Sequence, residues 1–217
     1  MEQSDAQMKK YYRERAPIYD RVYSYPERQE DLRFLENYIA EQFKGRDVLE
    51  VAAGTGYWTQ FILQKSASLL ATDATIEALE QIKLRPCCEN ISTKVIDAYS
   101  INHLGRYFNA VFAGLWLSHV PKQRLKEFIG KISEVTSPEA IVLFIDNSKA
   151  QCDRLPIAYT DDEGNTYQDR VLEDGSTHKV LKNFPSEAGL SEVTEDFGQN
   201  LKYMELENFW LFQYQTV

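Results

Sequence analysis

The stretch Val48-Leu-Glu-Val-Ala-Ala-Gly-Thr-Gly-Tyr-Trp-Thr59 decides how the rest of the chain is read. A strand over Asp47–Ala53 runs into a turn holding Gly54 and Gly56, and a helix over Tyr57–Lys65 follows. Glycine reaches positive φ without a Cβ penalty and lets a ligand approach the main chain closely. The start of the following helix offers free N–H groups and a partial positive charge. In an open parallel sheet this first turn faces the crevice where ligands bind.

The pattern continues on the C-terminal side. Strands are predicted at Ser68–Ala74, Ser92–Ala98, Phe108–Leu115 and Ala140–Asn147. Between them lie a helix from Thr75, with Ile76, Leu79 and Ile82 inward, and one after Pro121, with Leu125, Phe128, Ile129, Ile132 and Val135 on one stripe. Strands of continuous apolar character alternating with helices predict a parallel sheet covered on both faces. Upstream, residues 1–44 read as helical, broken at Pro17 and restarted near Pro26, with Leu32, Leu35, Ile39 and Phe43 on one face. Five of the thirteen tyrosines fall in the first 25 residues, a density unusual for a mere tail. Downstream, residues 148–177 are polar and acidic, and Asp174-Gly175 marks a hairpin between Tyr167–Leu172 and His178–Phe184. Ser191–Phe197 and Asn208–Thr216 read as closing strands. The expectation is one domain over 1–217: a helical lid (1–44), a ligand-binding core (47–147), an inserted hairpin flap (148–184) and C-terminal strands (191–217).

Composition bounds the function. With 217 residues, 43% hydrophobic, the chain can fill one core. Met1 to Arg15 carries no apolar leader and no later run reaches the length of a membrane span, so a cytoplasmic protein is expected. Cys87, Cys88 and Cys152 show no C-x-x-C spacing and read as reduced thiols, with no metal site. A formal net charge of −9 disfavours nucleic acid, whose phosphates call for a basic face.

The glycine turn alone does not name a ligand. A dinucleotide fingerprint wants a third glycine where Thr59 stands, and the Gly-Lys-Ser/Thr of a phosphate loop is missing. Three acids are placed instead. Glu50 lies four residues before Gly54, and Asp73 ends the next strand, where a carboxylate can accept both hydroxyls of a ribose. Asp97 ends the strand after that, where an amine such as adenine N6 can donate to it.

These residues resemble the class I S-adenosylmethionine-dependent methyltransferase family. Its first motif, E-x-G-x-G-x-G, is matched by Glu50-Val-Ala52-Ala-Gly54-Thr-Gly56, its ribose acid by Asp73 and its adenine-side acid by Asp97. The end of its fourth strand is matched by Ala113-Gly-Leu-Trp-Leu-Ser118, and Tyr11 to Asp20 looks like the lid of a subgroup acting on small molecules. The resemblance implies an α/β, Rossmann-like seven-stranded sheet ordered 3-2-1-4-5-7-6 with strand 7 antiparallel. It implies S-adenosyl-L-methionine as cofactor, S-adenosyl-L-homocysteine as product and a small-molecule acceptor methylated on O, N or C. The site it implies comprises Tyr11, Tyr19, Glu50, Ala52, Gly54, Gly56, Trp58, Asp73, Ala74, Asp97, Ala98, Gly114 and Leu115.

His119 follows the fourth strand and is either a general base or a structural residue before the helix at Pro121. Tyr11 and Tyr19 either cover the cofactor or pack the first helix, and Arg15 is placed to pair the cofactor carboxylate. Ala52 replaces the first family glycine, so slightly altered packing is expected there. The helix usual between strands 5 and 6 is not obvious, since only Pro185-Ser-Glu-Ala-Gly-Leu190 is available. An RNA or protein methyltransferase is one alternative, though Gly114-Leu-Trp-Leu117 stands where many amino-directed nucleic-acid enzymes carry an Asn/Asp-Pro-Pro-Tyr type motif. A non-catalytic cofactor-binding scaffold is another.

Overall fold

The computed structural model describes residue 8, residues 11–86 and residues 88–217. Residues 11–15 are helical and run into 3-10 turns at Ala16–Tyr23 and Pro26–Arg28, which lead to helix α1 (Gln29–Gln42). Then come β1 (Asp47–Glu50), α2 (Thr59–Leu63), β2 (Ser68–Asp73), α3 (Ile76–Lys83), β3 (Ser92–Val95) and β4 (Phe108–Gly114). The chain continues through α4 (Leu125–Ser133), β5 (Thr136–Asn147), α5 (Gln151–Arg154), β6 (Tyr159–Thr160), β7 (Thr166–Val171) and β8 (Thr177–Leu181). It closes with α6 (Glu187–Thr194), β9 (Gly198–Glu205) and β10 (Phe209–Thr216).

Seven strands form one sheet in the order β3-β2-β1-β4-β5-β10-β9. β1 to β5 pair in parallel, while β10 runs antiparallel to both β5 and β9. Numbered within this sheet the order is 3-2-1-4-5-7-6 with strand 7 antiparallel, as the motifs imply. The winding reverses between β1 and β4, so a crevice opens beyond their C-terminal ends.

The amphipathic stripes explain why the helices dock where they do. Leu32, Leu35, Ile39 and Phe43 are buried on one face of the sheet with Val48, Phe112, Leu143 and Leu211. Leu125, Phe128, Ile129 and Ile132 are buried on the other with Val111, Phe144 and Phe212. Each such side chain contributes roughly 1.5–3 kcal/mol by leaving water.

The C-terminal third corrects one reading. Ser191–Phe197 is not a strand: α6 occupies Glu187–Thr194 and β9 begins only at Gly198. The Ser186 hydroxyl accepts from the Gly189 N–H at 3.2 Å, an N-cap that starts the helix, and Leu190 and Thr194, four apart, are its buried face. The helix expected between strands 5 and 6 is therefore present, shortened to about two turns. β9 is exposed over most of its length, so no apolar alternation marks it. Between β5 and α6 the polar insertion folds into a separate sheet ordered β6-β7-β8, with its tight turn around Asp174 and Gly175.

Among the described residues no helix is long and apolar enough to cross a membrane. Cys87 lies outside the described residues; Cys88 is buried and Cys152 is partly exposed.

Candidate functional site

A cleft of about 1010 Å3, open water at its mouth included, lies over the C-terminal ends of the central strands. Glu50, Ala52, Ala53 and Gly54 form its floor where β1 turns toward α2. Asp73 and Ala74 wall it from the end of β2, Asp97 and Ala98 from beyond β3, and Gly114 and Leu115 from the end of β4. Tyr12, Ala16, Tyr19 and Tyr23 of the N-terminal segment roof it. Trp58, at the start of α2, and His119 also line it.

Two expected residues lie elsewhere. Tyr11 is buried behind the roof, accepting from Arg15 Nη1 at 2.8 Å with its ring edge-on to Tyr12, and Tyr12 takes the place beside the cleft. Gly56 is off the lining. Its φ is +78°, and a Cβ there would come within 2.8 Å of Ile82, so it lets the loop pass closely over α3.

Backbone strain gathers at the cleft. Ala52 has φ 53° and Leu115 has φ 58°, both in the left-handed region that disfavours a Cβ by roughly 1–2 kcal/mol. A left-handed backbone at residue 52 supplies the physical reason why glycine suits that place in the motif.

The Asp73 carboxylate holds this loop. Its Oδ2 accepts from the Gly54 N–H at 3.0 Å, and its Oδ1 from both the N–H and the hydroxyl of Thr75 at 2.9 Å. Burial pushes its pKa up, and those hydrogen bonds pull the other way. Its carboxylate borders the cleft, and Oδ2 carries fewer of these hydrogen bonds than Oδ1. Asp97 Oδ1 accepts from the Tyr99 N–H at 3.0 Å and caps the 3-10 turn Ala98–Leu104.

Glu50 is 1% exposed and accepts from the Thr59 hydroxyl at 2.6 Å. Burial pushes its pKa up to about 8, against the opposing pull of Thr59 and of the Arg85 charge. His119 is buried as well. Its Nδ1 lies 2.6 Å from the Leu181 carbonyl, which only accepts, so that nitrogen carries the proton; Nε2 accepts from the Tyr12 hydroxyl at 2.8 Å. Burial, reinforced by the Lys182 charge, pushes its pKa down to about 3. The ring is neutral near pH 7 and holds a proton only weakly.

The roof is tied to the floor through Asp20, which accepts from the Thr55 hydroxyl at 2.6 Å and from Arg85 Nη2 at 2.5 Å. A second, smaller cavity of about 310 Å3, open water at its mouth included, adjoins the cleft and shares Tyr12, Tyr19, Leu115 and His119 with it. Arg28, Arg170 and Lys182 on its wall were not singled out by the sequence, because nothing about their spacing marks them as neighbours.

The chain matches a family model described as a methyltransferase domain over residues 48–139. Two solved structures are similar over nearly the whole length. The DhpI–SAM–HEP complex is 27% identical at a TM-score of 0.79, covering 97% of each chain. The DhpI–SAH complex is 26% identical at the same TM-score of 0.79, covering 97% of this chain and 96% of that one. An S-adenosylmethionine-dependent methyltransferase from Clostridium acetobutylicum ATCC 824 shares the fold at 16% identity and a TM-score of 0.65, over 94% of this chain and 98% of that one. No curated protein sequence is significantly similar.

Proposed function

We propose that this chain, a member of the class I S-adenosylmethionine-dependent methyltransferase family, transfers a methyl group to a small-molecule acceptor bound at the C-terminal end of β4. The observation that carries this reading is the convergence of Glu50, the turn from Ala52 to Gly54, Asp73 and Asp97 on one cleft at the winding reversal of the sheet. Two buried indole donors in the same wall, Trp58 Nε1 and Trp116 Nε1, have no hydrogen-bond partner among the described residues, which fits a cleft built to receive a polar ligand.

The residues divide the cofactor between them. Asp73, at the cleft wall, would accept from the ribose hydroxyls, and Asp97 with Ala98 would hold the adenine edge. The bared backbone at Gly54 passes under the methionine portion, and Glu50 faces its cationic end, where an arriving positive charge draws the buried carboxyl into its ionised form. When bound, S-adenosylmethionine would supply a sulfonium-activated methyl open to in-line attack by an acceptor lone pair, with S-adenosylhomocysteine as the leaving group. Alignment and exclusion of water therefore do most of the work, and such positioning contributes roughly 7–11 kcal/mol in favourable systems.

The N-terminal segment acts as the lid. Its Tyr12, Tyr19 and Tyr23 close the cleft, while the Asp20 contacts hold them over the glycine turn. His119 positions Tyr12 through their hydrogen bond and does not serve as general base, since its lone pair is occupied and weakly basic. The closed roof and the modest second cavity favour a small acceptor over a nucleic acid or a protein. The inserted hairpin, which carries Arg170, is the flap on the acceptor side.

Isothermal titration of S-adenosylmethionine into the folded chain tests the reading, followed by detection of S-adenosylhomocysteine with a panel of small acceptors. Absence of binding by a folded sample removes it. Binding without turnover on any acceptor favours a non-catalytic scaffold.

A further inference from the structure

Four cationic side chains meet around the second cavity: Arg15, Arg28, Arg170 and Lys182. They arrive from distant parts of the chain, namely the N-terminal helical segment, the turn before α1, strand β7 and the residue after β8. Lys182 is fully buried and neutralised, its Nζ lying 2.8 Å from Asp146 Oδ1 and 2.7 Å from the Ser118 hydroxyl. The three arginines have no carboxylate partner among the described residues. Glu27, the acid beside Arg28, is instead bonded to Arg154.

The guanidinium donors are only partly used. Arg170, 8% exposed, gives Nη2 to Gln168 Oε1 at 2.7 Å, while its buried Nε has no partner. Arg28, 6% exposed, gives Nη1 to the Val22 carbonyl at 3.3 Å and lies over the rings of Tyr25 and Phe209. Arg15 gives Nη1 to the Tyr11 hydroxyl and lies over the Tyr19 ring. A guanidinium has five N–H donors, so most of these remain open. Burying a charge without a counter-ion is costly, and aromatic faces offset only part of that cost. A fold that concentrates these charges on one cavity, Arg28 and Arg170 buried and Arg15 half-buried, gains nothing in stability from them; an anion that fills the cavity supplies the missing partner.

We propose that the second cavity is the anion-binding subsite for the methyl acceptor, and that the acceptor is a small molecule carrying a dianionic oxyanion group of the phosphoryl type. The proposal rests on the methyltransferase reading for the word acceptor, and on the cationic cluster for the anion. The cavity shares Leu115 and His119 with the cleft, so its occupant lies against the β4 end of the cofactor site. A methionine carboxylate supplies one negative charge and leaves the cluster under-neutralised, which points to a dianion over a second carboxylate. Asn147 Oδ1 and Gln151 Oε1, buried at the same cavity without partners, are acceptors, so the molecule also carries a hydrogen-bond donor. An acceptor already ionised at neutral pH has no proton to lose at that group, in keeping with the weak basicity of His119.

The test uses the full chain with inorganic phosphate, sulfate and acetate as probes, each titrated with and without saturating S-adenosylhomocysteine. Phosphate is expected to bind in both conditions, more tightly than acetate and more weakly as salt rises. Arg170→Gln and Arg28→Gln should each weaken phosphate by at least about tenfold while leaving S-adenosylhomocysteine affinity within about twofold. Both should also raise the melting temperature of the ligand-free protein, because each removes an unpaired buried charge. Turnover should favour alkyl phosphate esters over neutral alcohols of the same size. The proposal is overturned if a folded chain that binds S-adenosylhomocysteine takes up no oxyanion, or if phosphate and S-adenosylhomocysteine exclude one another. It is overturned equally if the two variants lose stability with anion affinity unchanged. Phosphate binding that depends on Arg170 in a chain that ignores S-adenosylhomocysteine would uphold the anion site and defeat the methyltransferase reading instead.

Discussion

Glu50→Gln should stabilise the ligand-free protein at pH 7 by about 3 kcal/mol and leave it almost unchanged near pH 4. The Glu50 carboxyl is buried at the cleft floor, and its pKa is pushed up to about 8 in the fold, whereas the unfolded chain ionises it near 4.5. Below 4.5 both states hold the proton and its contribution is fully present. As pH rises the unfolded state loses its proton first, so stability falls until the folded carboxyl also ionises near 8. About two and a half pH units at about 1.36 kcal/mol each give the figure at pH 7, and the loss levels off near 5 kcal/mol above pH 8. Glutamine keeps the shape and an oxygen for the Thr59 hydroxyl but cannot ionise. Urea unfolding of both proteins from pH 4 to 8, followed by tryptophan fluorescence, isolates the difference because every other titrating group is common to the pair. Stability curves that run parallel across that range would refute the reasoning, since Glu50 would then ionise in the fold as readily as in water. A cationic ligand over Glu50 should also drive off its proton, so S-adenosylmethionine binding at pH 7 should release a proton in the wild type and none at this position in the variant.

Three further outcomes are expected. Asp73→Ala removes both a ribose acceptor and the clasp on the Gly54 N–H, and should weaken S-adenosylmethionine by about 2 kcal/mol, roughly thirtyfold; unchanged affinity in calorimetry would count against the cofactor site. Ala52→Gly relieves a Cβ held at φ 53° and should gain about 1 kcal/mol in urea unfolding, whereas a loss would mean that the methyl is needed for packing. His119, with a folded pKa near 3, should stay neutral with the proton on Nδ1 when followed by nitrogen NMR down to about pH 4, and should withdraw stability as pH falls from about 6.5 toward 3. A His119 titration midpoint near 6.5 would show the ring open to water.

The fold was legible because its signals are local and repeated. Each parallel strand is an apolar run followed by a stripe of inward residues, so Val48, Val111 and Phe144 announce burial without knowledge of the neighbours. The lining of the central cleft was legible for a related reason. Parallel strands deliver their C-terminal residues to one edge, so Glu50, Asp73 and Asp97, read one at a time as strand ends, become neighbours once the sheet exists. Where the reading slipped, the local signal was weak. The Tyr11-Tyr12 pair differs by one position, or about 100° around a helix, and the sequence does not say which ring faces the cleft. The α6–β9 boundary slipped because an exposed edge strand has no apolar alternation to set against a capped helix.

The second cavity obeys no such rule. Arg28, Arg170 and Lys182 stand in a turn, an inserted strand and the residue after another strand, and their meeting depends on how the small β6-β7-β8 sheet packs over the main one. In the sequence that insertion is conspicuous for its acids, among them Asp161, Glu163, Asp169, Glu173 and Asp174, and it reads as a flap over the substrate or else as a solvated loop. The structure sorts them by position. Glu163 and Glu173 reach outward to Gln123 and Arg21, while Arg170 is buried beside the cavity. Net composition averages over both faces of a strand, and only the alternation of β7, with Gln168 and Arg170 in and Asp169 and Val171 out, separates them. A charge excess read along the chain thus describes the surface that water sees, and the opposite charge turned inward is the part on which the proposed anion subsite rests.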